Sequence, residues 1–328
     1  MLSVPYSRYI FGIIPWYSFL VVLGAALAIL LAMREEKKGY LKKDTVIDFA
    51  LIALPCGIIG ARIYYVAFSW DSFRGDFLSV FRVWEGGIAI YGGIIAGLLA
   101  AIVFCRVRRI SFLTLCDVFA PGLILAQAIG RWGNYFNQEA YGLPLQDSLL
   151  CFFPFAVQIR VETGLQWHMA TFFYESSWNF LVFIFLIAAR RKWFRYSGDV
   201  FFFYAYLYAC GRMIVENFRM DSLYAAGSLR ISQLLSVLIC MAVLSWYFFR
   251  FRKLGRRRPF PVCMLFSLCM LFDFLMAFVM SGIAGLFPAE PLDGFLLLLA
   301  CAVLNILALF ILYGKNAEGE LIYADNKN

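Results

Sequence analysis

The sequence predicts an all-α, polytopic integral membrane protein, and three observations support this fold class. Hydrophobic residues form 63% of the 328-residue chain, charged residues form 15%, and the mean hydropathy is +0.77. This composition is far more apolar than that of a soluble domain. Apolar stretches of about 20 residues, the length that crosses a bilayer, recur along the chain. Lysine and arginine gather in alternate loops, as they do when those loops share the cytoplasmic side.

Nine apolar stretches are candidate membrane spans, and they define the predicted elements in chain order. The first is not expected to be a cleaved signal peptide, because only Arg8 precedes it as a basic residue and the run has full span length. Seven spans form a predicted core, residues 1–258, and two more form a C-terminal extension, residues 259–328, with a polar tail. The predicted spans are 14–33, 46–68, 88–105, 112–132, 170–189, 199–217, 231–250, 262–282 and 294–313.

The distribution of basic residues predicts the orientation of these spans. The odd-numbered loops contain 18 lysines and arginines, whereas the even-numbered loops and the N-terminus contain eight. We therefore expect the N-terminus outside and the C-terminus in the cytoplasm. Anionic headgroups at the cytoplasmic surface then explain the net charge of +8, and no nucleic-acid partner is predicted.

The cysteines lie mostly in apolar segments without metal-ligand spacing, so neither a metal site nor a disulfide framework is predicted.

Residues 130–142 place polar groups where the fourth span ends. An ionisable residue near the bilayer centre costs roughly 2.5–3.5 kcal/mol, which makes Arg131, with the neighbouring Asn134 and Glu139, a candidate functional site. The planar guanidinium matches the oxygens of a phosphate group. Gly133 suits either the end of the helix or a close approach to a neighbouring helix. The alternative is a structural arginine that reaches the headgroup region while the asparagines cap the helix end.

Two further polar clusters are expected on the same, outer side. The sixth span carries Arg212, Glu216 and Arg219 on one helical face, within about 60° of one another. We expect the glutamate to pair with one arginine and leave the other for an anionic ligand; a structural ladder of ion pairs is the alternative. Glu175 lies about one turn inside the fifth span and needs a cationic or hydrogen-bonding partner there. His168, the one histidine of the chain, is either a general base or a structural interfacial residue.

Paired glycines flank Tyr91 in residues 86–93, at the start of the third span. They allow two backbones to pack closely and expose the phenol towards a cavity. The alternative is a glycine-rich packing interface with an interfacial tyrosine. Arg62 lies within the second span, and Tyr17 lies at the beginning of the first.

Together these motifs resemble, in the same order along the chain, those of the bacterial prolipoprotein diacylglyceryl transferases. The resemblance extends over about residues 10–252 and is specific as a set rather than in any one piece. The extension carries no recognisable motif. The segments that carry the resemblance are Gly130-Arg131-x-Gly133-Asn134-x-x-Asn137-x-Glu139 with Gly142, the Tyr-Glu-Ser-x-Trp-Asn stretch at 174–179, the helix with Arg212, Glu216 and Arg219, the glycine pairs at 86–93 and the Gly-Ala-Arg of the second span.

The resemblance implies a multi-pass enzyme of the bacterial cell membrane whose active site faces the outer side. Such enzymes transfer the diacylglyceryl group of phosphatidylglycerol, a membrane lipid, to the lipobox cysteine of a prolipoprotein signal peptide. They form a thioether, release glycerol phosphate and need no cofactor. The catalytic residues that it implies are Arg131, Arg212, Glu139 and Tyr91. The substrate-binding residues that it implies are Arg131, Asn134, Gly142, Glu175, Glu216 and Tyr17.

Tyr91 departs from the family pattern, because many members carry a histidine at this position. A tyrosine hydroxyl ordinarily has a pKa of about 10 and is a poor base for a thiol with a pKa of about 8.5. We therefore expect the electrostatic field of the arginines to lower the thiol pKa, with Tyr91 as a hydrogen-bond partner.

Two other classes of function remain open from the sequence. A phospholipid transporter or scramblase would use the same arginines to bind anionic headgroups without chemistry. Such proteins often contain internal repeats, and no convincing repeat is found in this chain. A purely structural membrane scaffold would leave the surplus of arginines on the outer side unexplained.

Overall fold

The computed structural model describes residues 7–145, 149–162, 164–194, 196–222, 224–226, 229–253 and 291–314. α-Helices account for most of these residues, which confirms the predicted all-α class. The helices are α1 (Trp16–Glu35), α2 (Thr45–Phe68), α3 (Ile90–Arg108), α4 (Phe112–Asn137), α5 (Thr171–Lys192), α6 (Asp199–Glu216), α7 (Ile231–Lys253) and α8 (Pro291–Gly314).

Six of the described helices, α1 to α5 and α7, are long and apolar enough to cross a membrane, so the protein is a multi-pass membrane protein. Helix α6 forms where the sixth span was predicted. It is less apolar than those six, because it contains three tyrosines and the charged residues Asp199, Arg212 and Glu216. The predicted span 262–282 lies outside the described residues, and α8 covers the predicted span 294–313. The orientation of the termini stays a prediction.

The chain divides into two compact units, which are Ala28–Phe119 and the combination of Met1–Leu27 with Ala120–Asn328. In the first unit, α2 and α3 pack through small residues. A Cβ added to Gly60 would lie 2.2 Å from the Cβ of Ala96, and one added to Gly92 would lie 2.3 Å from the carbonyl oxygen of Gly60. Close approach of backbones is how helices associate in lipid, where apolar burial supplies no driving force. The close packing predicted around Tyr91 is therefore confirmed.

Arg62 organises the segment between α2 and α3 within this unit. Its side chain is buried, and its nitrogens donate to main-chain carbonyl oxygens of Ser79 (2.6 Å), Val80 (2.8 Å), Gly86 (2.7 Å) and Gly87 (2.7 Å). The segment folds into short 3-10 turns rather than a regular element. These turns are Trp70–Phe73, Phe77–Phe81 and Val83–Glu85.

The second unit has its main core between α5, α6, α7 and α8, where aromatic side chains such as Phe203 and Tyr247 are fully buried. Helix α5 lies very close to α6 at Gly211, since a Cβ there would lie 2.2 Å from the ring of Trp178. The indole nitrogen of Trp178 also donates to the carbonyl oxygen of Leu207 (2.8 Å). This contact fixes the axial register between α5 and α6.

Short antiparallel hairpins, which the sequence did not predict, occur in the described loops. The expected helix end at Gly133 is also wrong, because α4 continues to Asn137 and the chain turns at Gln138 and Ala140, both with positive φ (54° and 55°). Gly133 instead allows a close approach, since a Cβ there would lie 2.6 Å from the ring of Tyr17. The hairpins pair β1 (Tyr9–Ile10) with β2 (Ile14–Pro15), β3 (Ala156–Val161) with β4 (Gly164–Met169), and β5 (Tyr224–Ala226) with β6 (Leu229–Arg230).

Candidate active site

Glu175 joins the two arginines that the sequence singled out. Its Oε1 lies 2.7 Å from Nη2 of Arg131 on α4, and Nη1 of Arg212 on α6 donates to its Oε2 at 2.9 Å. The glutamate is 2% exposed, so the carboxylate is buried between two guanidinium groups. Three helices thus meet at one carboxylate. The expectation that Glu175 needs a cationic partner is met by two arginines.

A second buried carboxylate extends the cluster along α6. Oε2 of Glu216 lies 2.5 Å from Nη2 of Arg212 and 4.0 Å from Nε of Arg219, so the three side chains share one face as their spacing predicted. Arg219 is not left for a ligand by this arrangement. Its Nε and Nη2 donate to the two carboxylate oxygens of Asp221 at 2.9 and 2.8 Å, just beyond the end of the helix.

The end of α4 carries a hydrogen-bonded rim next to Arg131. Nη1 of Arg131 donates to Oδ1 of Asn134 at 3.5 Å, and Nδ2 of Asn134 donates to Glu139 at 3.1 Å. Nδ2 of Asn137 donates to the same Glu139 oxygen at 3.2 Å, and Arg8 donates to the main-chain oxygen of Asn137 at 3.0 Å. The motif at residues 130–142 therefore holds Glu139 at the exposed end of a chain of contacts that begins at Arg131.

Gly142 lies in an extended segment that joins this rim to the end of α6. Its N–H donates to the carbonyl oxygen of Met169 (3.0 Å), and it forms an isolated antiparallel bridge with Arg219. A Cβ at Gly142 would lie 2.7 Å from that of Met169 and 2.8 Å from Cγ2 of Thr171, so the segment approaches its neighbours too closely for a side chain. His168 is buried, and its Nδ1 donates to the Gly142 oxygen at 2.8 Å. These contacts give the histidine a structural role.

The two candidate tyrosines lie in different units of the chain. The ring of Tyr17 packs on Gly133 at the end of α4, and 39% of Tyr17 is exposed. Tyr91 lies in the first turn of α3, in the unit Ala28–Phe119, and is 37% exposed.

Tyr208 belongs to the cluster and was missed from the sequence. It interacts with the guanidinium of Arg131 while lying on α6, four residues before Arg212. Residues four apart share a helical face, so the position of Tyr208 relative to Arg212 was the available signal. The tyrosine gives α6 a direct contact with α4.

The three arginines and three carboxylates that ion pairs join in the cluster balance in charge, in contrast to the surplus that the motifs alone indicated. Arg131 meets one carboxylate and the uncharged Asn134 and Tyr208, whereas Arg212 meets two carboxylates, so the charge of Arg131 is the less neutralised of the two. Outside the helices, burial favours a higher pKa of Asp221, but hydrogen bonds from Arg219 outweigh it and lower that pKa. The charged groups are Arg131, Arg212, Arg219, Glu175, Glu216 and Asp221.

The sequence that forms this site matches one family of known proteins. The family model for prolipoprotein diacylglyceryl transferase matches residues 8–249, which include every residue of the cluster. A protein from Streptococcus equi subsp. equi, named phosphatidylglycerol–prolipoprotein diacylglyceryl transferase, is 42% identical over 241 residues, or 73% of this chain and 92% of that protein. Proteins of the same name from Oceanobacillus iheyensis and Enterococcus faecalis are 43% and 45% identical over 248 and 239 residues, or 74% and 72% of this chain and 86% of each relative.

Proposed function

Because the chain belongs to the prolipoprotein diacylglyceryl transferase family, it is a transferase that moves a diacylglyceryl group from phosphatidylglycerol to a prolipoprotein, and we propose that Arg131 and Arg212 hold the donor phosphate. The observation that carries the proposal is the pair of guanidinium groups on either side of the buried Glu175. A phosphodiester carries the same charge as this carboxylate and offers oxygens that match the planar fork of arginine. The side chain of Arg131 is 22% exposed against 14% for Arg212, so the phosphate first meets Arg131.

In the proposed reaction, the sulfur of the lipobox cysteine attacks the glycerol carbon that carries the phosphate ester. The thiol releases its proton to water, the C–S bond forms as the C–O bond breaks, and the electron pair of that bond leaves with glycerol phosphate. Negative charge thereby moves from sulfur to phosphate. Fixed guanidinium groups at the leaving phosphate stabilise this charge as it develops, and the same field lowers the pKa of the incoming thiol.

The acidic residues of the site are proposed to position the arginines rather than to carry protons. Glu216 contacts Nη2 of Arg212 while Glu175 contacts Nη1, and the two carboxylates together limit the movement of its side chain. Asn134 connects Arg131 to Glu139, so we propose that this amide and this carboxylate bind the hydroxyl groups of the glycerol headgroup.

The remaining candidate residues have proposed roles in shaping the site and contacting the thiol. Gly142 is proposed to keep the extended segment beside Arg219 narrow enough for a substrate to approach. Tyr17 is proposed to line the lipid side of the α4 end, and Tyr91 to donate a hydrogen bond to the reacting sulfur. Residues 1–258 are proposed to form the transferase core, with residues 259–328 as an extension.

The protein is proposed to act in the bacterial cell membrane with this site on the outer side. The positive-inside distribution of lysine and arginine supports that orientation. The lipobox cysteine of an exported signal peptide emerges on the same side, so donor lipid and acceptor thiol meet in the outer leaflet.

A reconstituted lipidation assay tests the proposal. Vesicles that contain phosphatidylglycerol, the protein and a lipobox peptide should yield a peptide whose mass rises by one diacylglyceryl group. Arg131→Ala and Arg212→Ala should each lower the rate about 10²–10³-fold, as removal of one charge-stabilising donor does in other enzymes. Arg74→Ala is the matched control, because Arg74 pairs with Asp71 on an exposed surface, and it should leave the rate unchanged. Headgroup binding without a modified peptide would instead favour the lipid transporter.

A further inference from the structure

Helix α8 lies beyond the region that matches the family, yet it packs against α6 and α7 in the core of the second unit. From residue 299 onwards, its exposed large apolar residues recur every four positions, as expected for a stripe that faces lipid. They are Leu299, Val303, Leu307 and Ile311. Its buried residues form a second stripe that includes polar side chains. They are Cys301, Ala302, Asn305, Ala308, Leu309 and Tyr313.

Two polar contacts join α8 to α6. The hydroxyl of Tyr206 donates to Oδ1 of Asn305 at 2.7 Å, and both residues are at most 1% exposed. The hydroxyl of Tyr313 donates to Oδ2 of Asp199 at 2.7 Å, and Asp199 is 0% exposed. Each contact pairs a buried polar group of α6 with one of α8.

The two contacts define an antiparallel register between the helices. Asp199 and Tyr206 are about 10 Å apart along α6, and Tyr313 and Asn305 are about 12 Å apart along α8, at a rise of about 1.5 Å per residue. The contacts therefore match in spacing while the chain directions are opposite. Continued by the same spacing, the register brings Leu299 of α8 about level with Arg212.

Asp199 shows why α6 needs this neighbour. It is the first residue of α6, and its Oδ2 also accepts from the N–H of Tyr196 at 2.9 Å, while its Oδ1 accepts from Tyr247 of α7 at 3.0 Å. A carboxylate in the first turn of a helix is favoured by the helix dipole, but it must be hydrogen-bonded when buried. Tyr313 of α8 completes this set of donors.

Helix α8 also covers polar side chains of α6. Helix α6 is not among the six described helices that are apolar enough to cross a membrane. Hydroxyl and carboxylate groups that face hydrocarbon without partners are unfavourable, so a face of α6 that carries Tyr206 and Asp199 needs a polar cover. Helix α8 supplies it on one side and presents its apolar stripe on the other.

We propose that α8 is a positioning element of the active site, which holds α6 and thereby sets Arg212 and Glu216 against Glu175 on α5. Asn305 and Tyr313 are the positioning residues, and neither contacts substrate. The inference deepens the proposed function and rests on it for the identity of the ligand. It assigns a role to a segment that lies outside the family match.

Substitutions in the full-length chain test this role. Asn305→Leu and Tyr313→Phe should each lower the thermal midpoint and raise the apparent KM for phosphatidylglycerol several-fold at a temperature where the variants stay folded. The double variant Tyr206→Phe/Asn305→Leu should recover most of the loss in thermal midpoint, since replacing both hydrogen-bond partners by apolar groups is nearly neutral for stability. Its apparent KM should stay raised, because the contact that sets the register is absent. Leu307→Ala, on the exposed stripe, is the matched control and should behave as the wild type.

A binding readout separates this inference from the proposed function. The shift in thermal midpoint that phosphatidylglycerol vesicles cause requires no transfer chemistry, and it should be smaller for Asn305→Leu than for the wild type. A wild-type protein that shows this shift but never modifies the peptide would refute the proposed function and leave the role of α8 testable by the same shift. A lower thermal midpoint with unchanged KM and unchanged lipid-induced shift would overturn the positioning role, and so would variants that match the wild type throughout.

Discussion

Glu175→Gln tests the centre of the proposed site. The carboxylate lies 2.7 Å from Arg131 and 2.9 Å from Arg212 and is almost completely buried. The substitution keeps the size of the side chain and one acceptor oxygen but removes the negative charge. Two guanidinium groups then approach the same point without the counter-ion that separates them.

The expected loss of stability follows from these distances. Two unit charges about 4 Å apart interact by about 4 kcal/mol at an effective dielectric constant of about 20. Removing one partner of a buried ion pair costs about 3–5 kcal/mol. Glu216 stays 2.5 Å from Arg212 and offsets part of the repulsion, so we expect the lower end of that range. At an unfolding entropy of about 2.1 cal/mol/K per residue, about 3 kcal/mol lowers the thermal midpoint of a chain of 328 residues by roughly 4 °C.

Thermal unfolding with and without phosphatidylglycerol is the appropriate assay. If the donor phosphate binds between the arginines, it replaces the missing charge, so the lipid should raise the thermal midpoint of Glu175→Gln more than that of the wild type. Asp48→Asn is the matched control, since it makes the same acid-to-amide change in an exposed pair with Arg108 that is worth at most about 1 kcal/mol. An unchanged thermal midpoint for Glu175→Gln, or an equal effect of lipid on variant and wild type, would refute the reasoning.

Three further outcomes are expected. Gly142→Ala should lower stability by about 1–3 kcal/mol, because its Cβ would lie 2.7 Å from that of Met169, and an unchanged unfolding curve would contradict this close approach. Tyr91→Phe should retain measurable lipidation in the peptide assay, whereas complete loss of product would make the phenol essential. The stability from the ion pair between Arg219 and Asp221 should be present above pH of about 4 and be lost as pH falls through the lowered folded pKa. Asp221→Asn should remove that dependence from unfolding curves measured against pH, and a variant with the wild-type dependence would assign it to other groups.

Local spacing was sufficient to predict parts of the site that lie on one helix. Arg212, Glu216 and Arg219 share a face because three or four residues make one helical turn, and the ion pairs follow from that alone. The same rule would have found Tyr208, which precedes Arg212 by four residues. For Glu175, the sequence predicted a cationic or hydrogen-bonding partner but not which residue it would be. The pairing depends on how Trp178 and Gly211 bring α5 against α6.

Other features depend on contacts that leave no pattern in the sequence. Arg62 donates to main-chain oxygens, and a carbonyl acceptor is present at every residue. Gly133 has the conformational freedom to end a helix, but the structure uses its lack of a side chain to admit Tyr17. The hairpin that contains His168 was missed because its strands are six residues each within a long polar loop. Tertiary packing determines the first two of these features.

The most direct measurement counts both products of the reaction in the same vesicles. Wild-type protein with phosphatidylglycerol and a lipobox peptide should produce diacylglyceryl-peptide and glycerol phosphate in a 1:1 ratio, as breakage of a single C–O bond requires. Arg131→Ala should lower both products together by about 10²–10³-fold. Modified peptide without an equal amount of glycerol phosphate, or near wild-type yields of both from Arg131→Ala, would contradict a phosphate site built on this arginine.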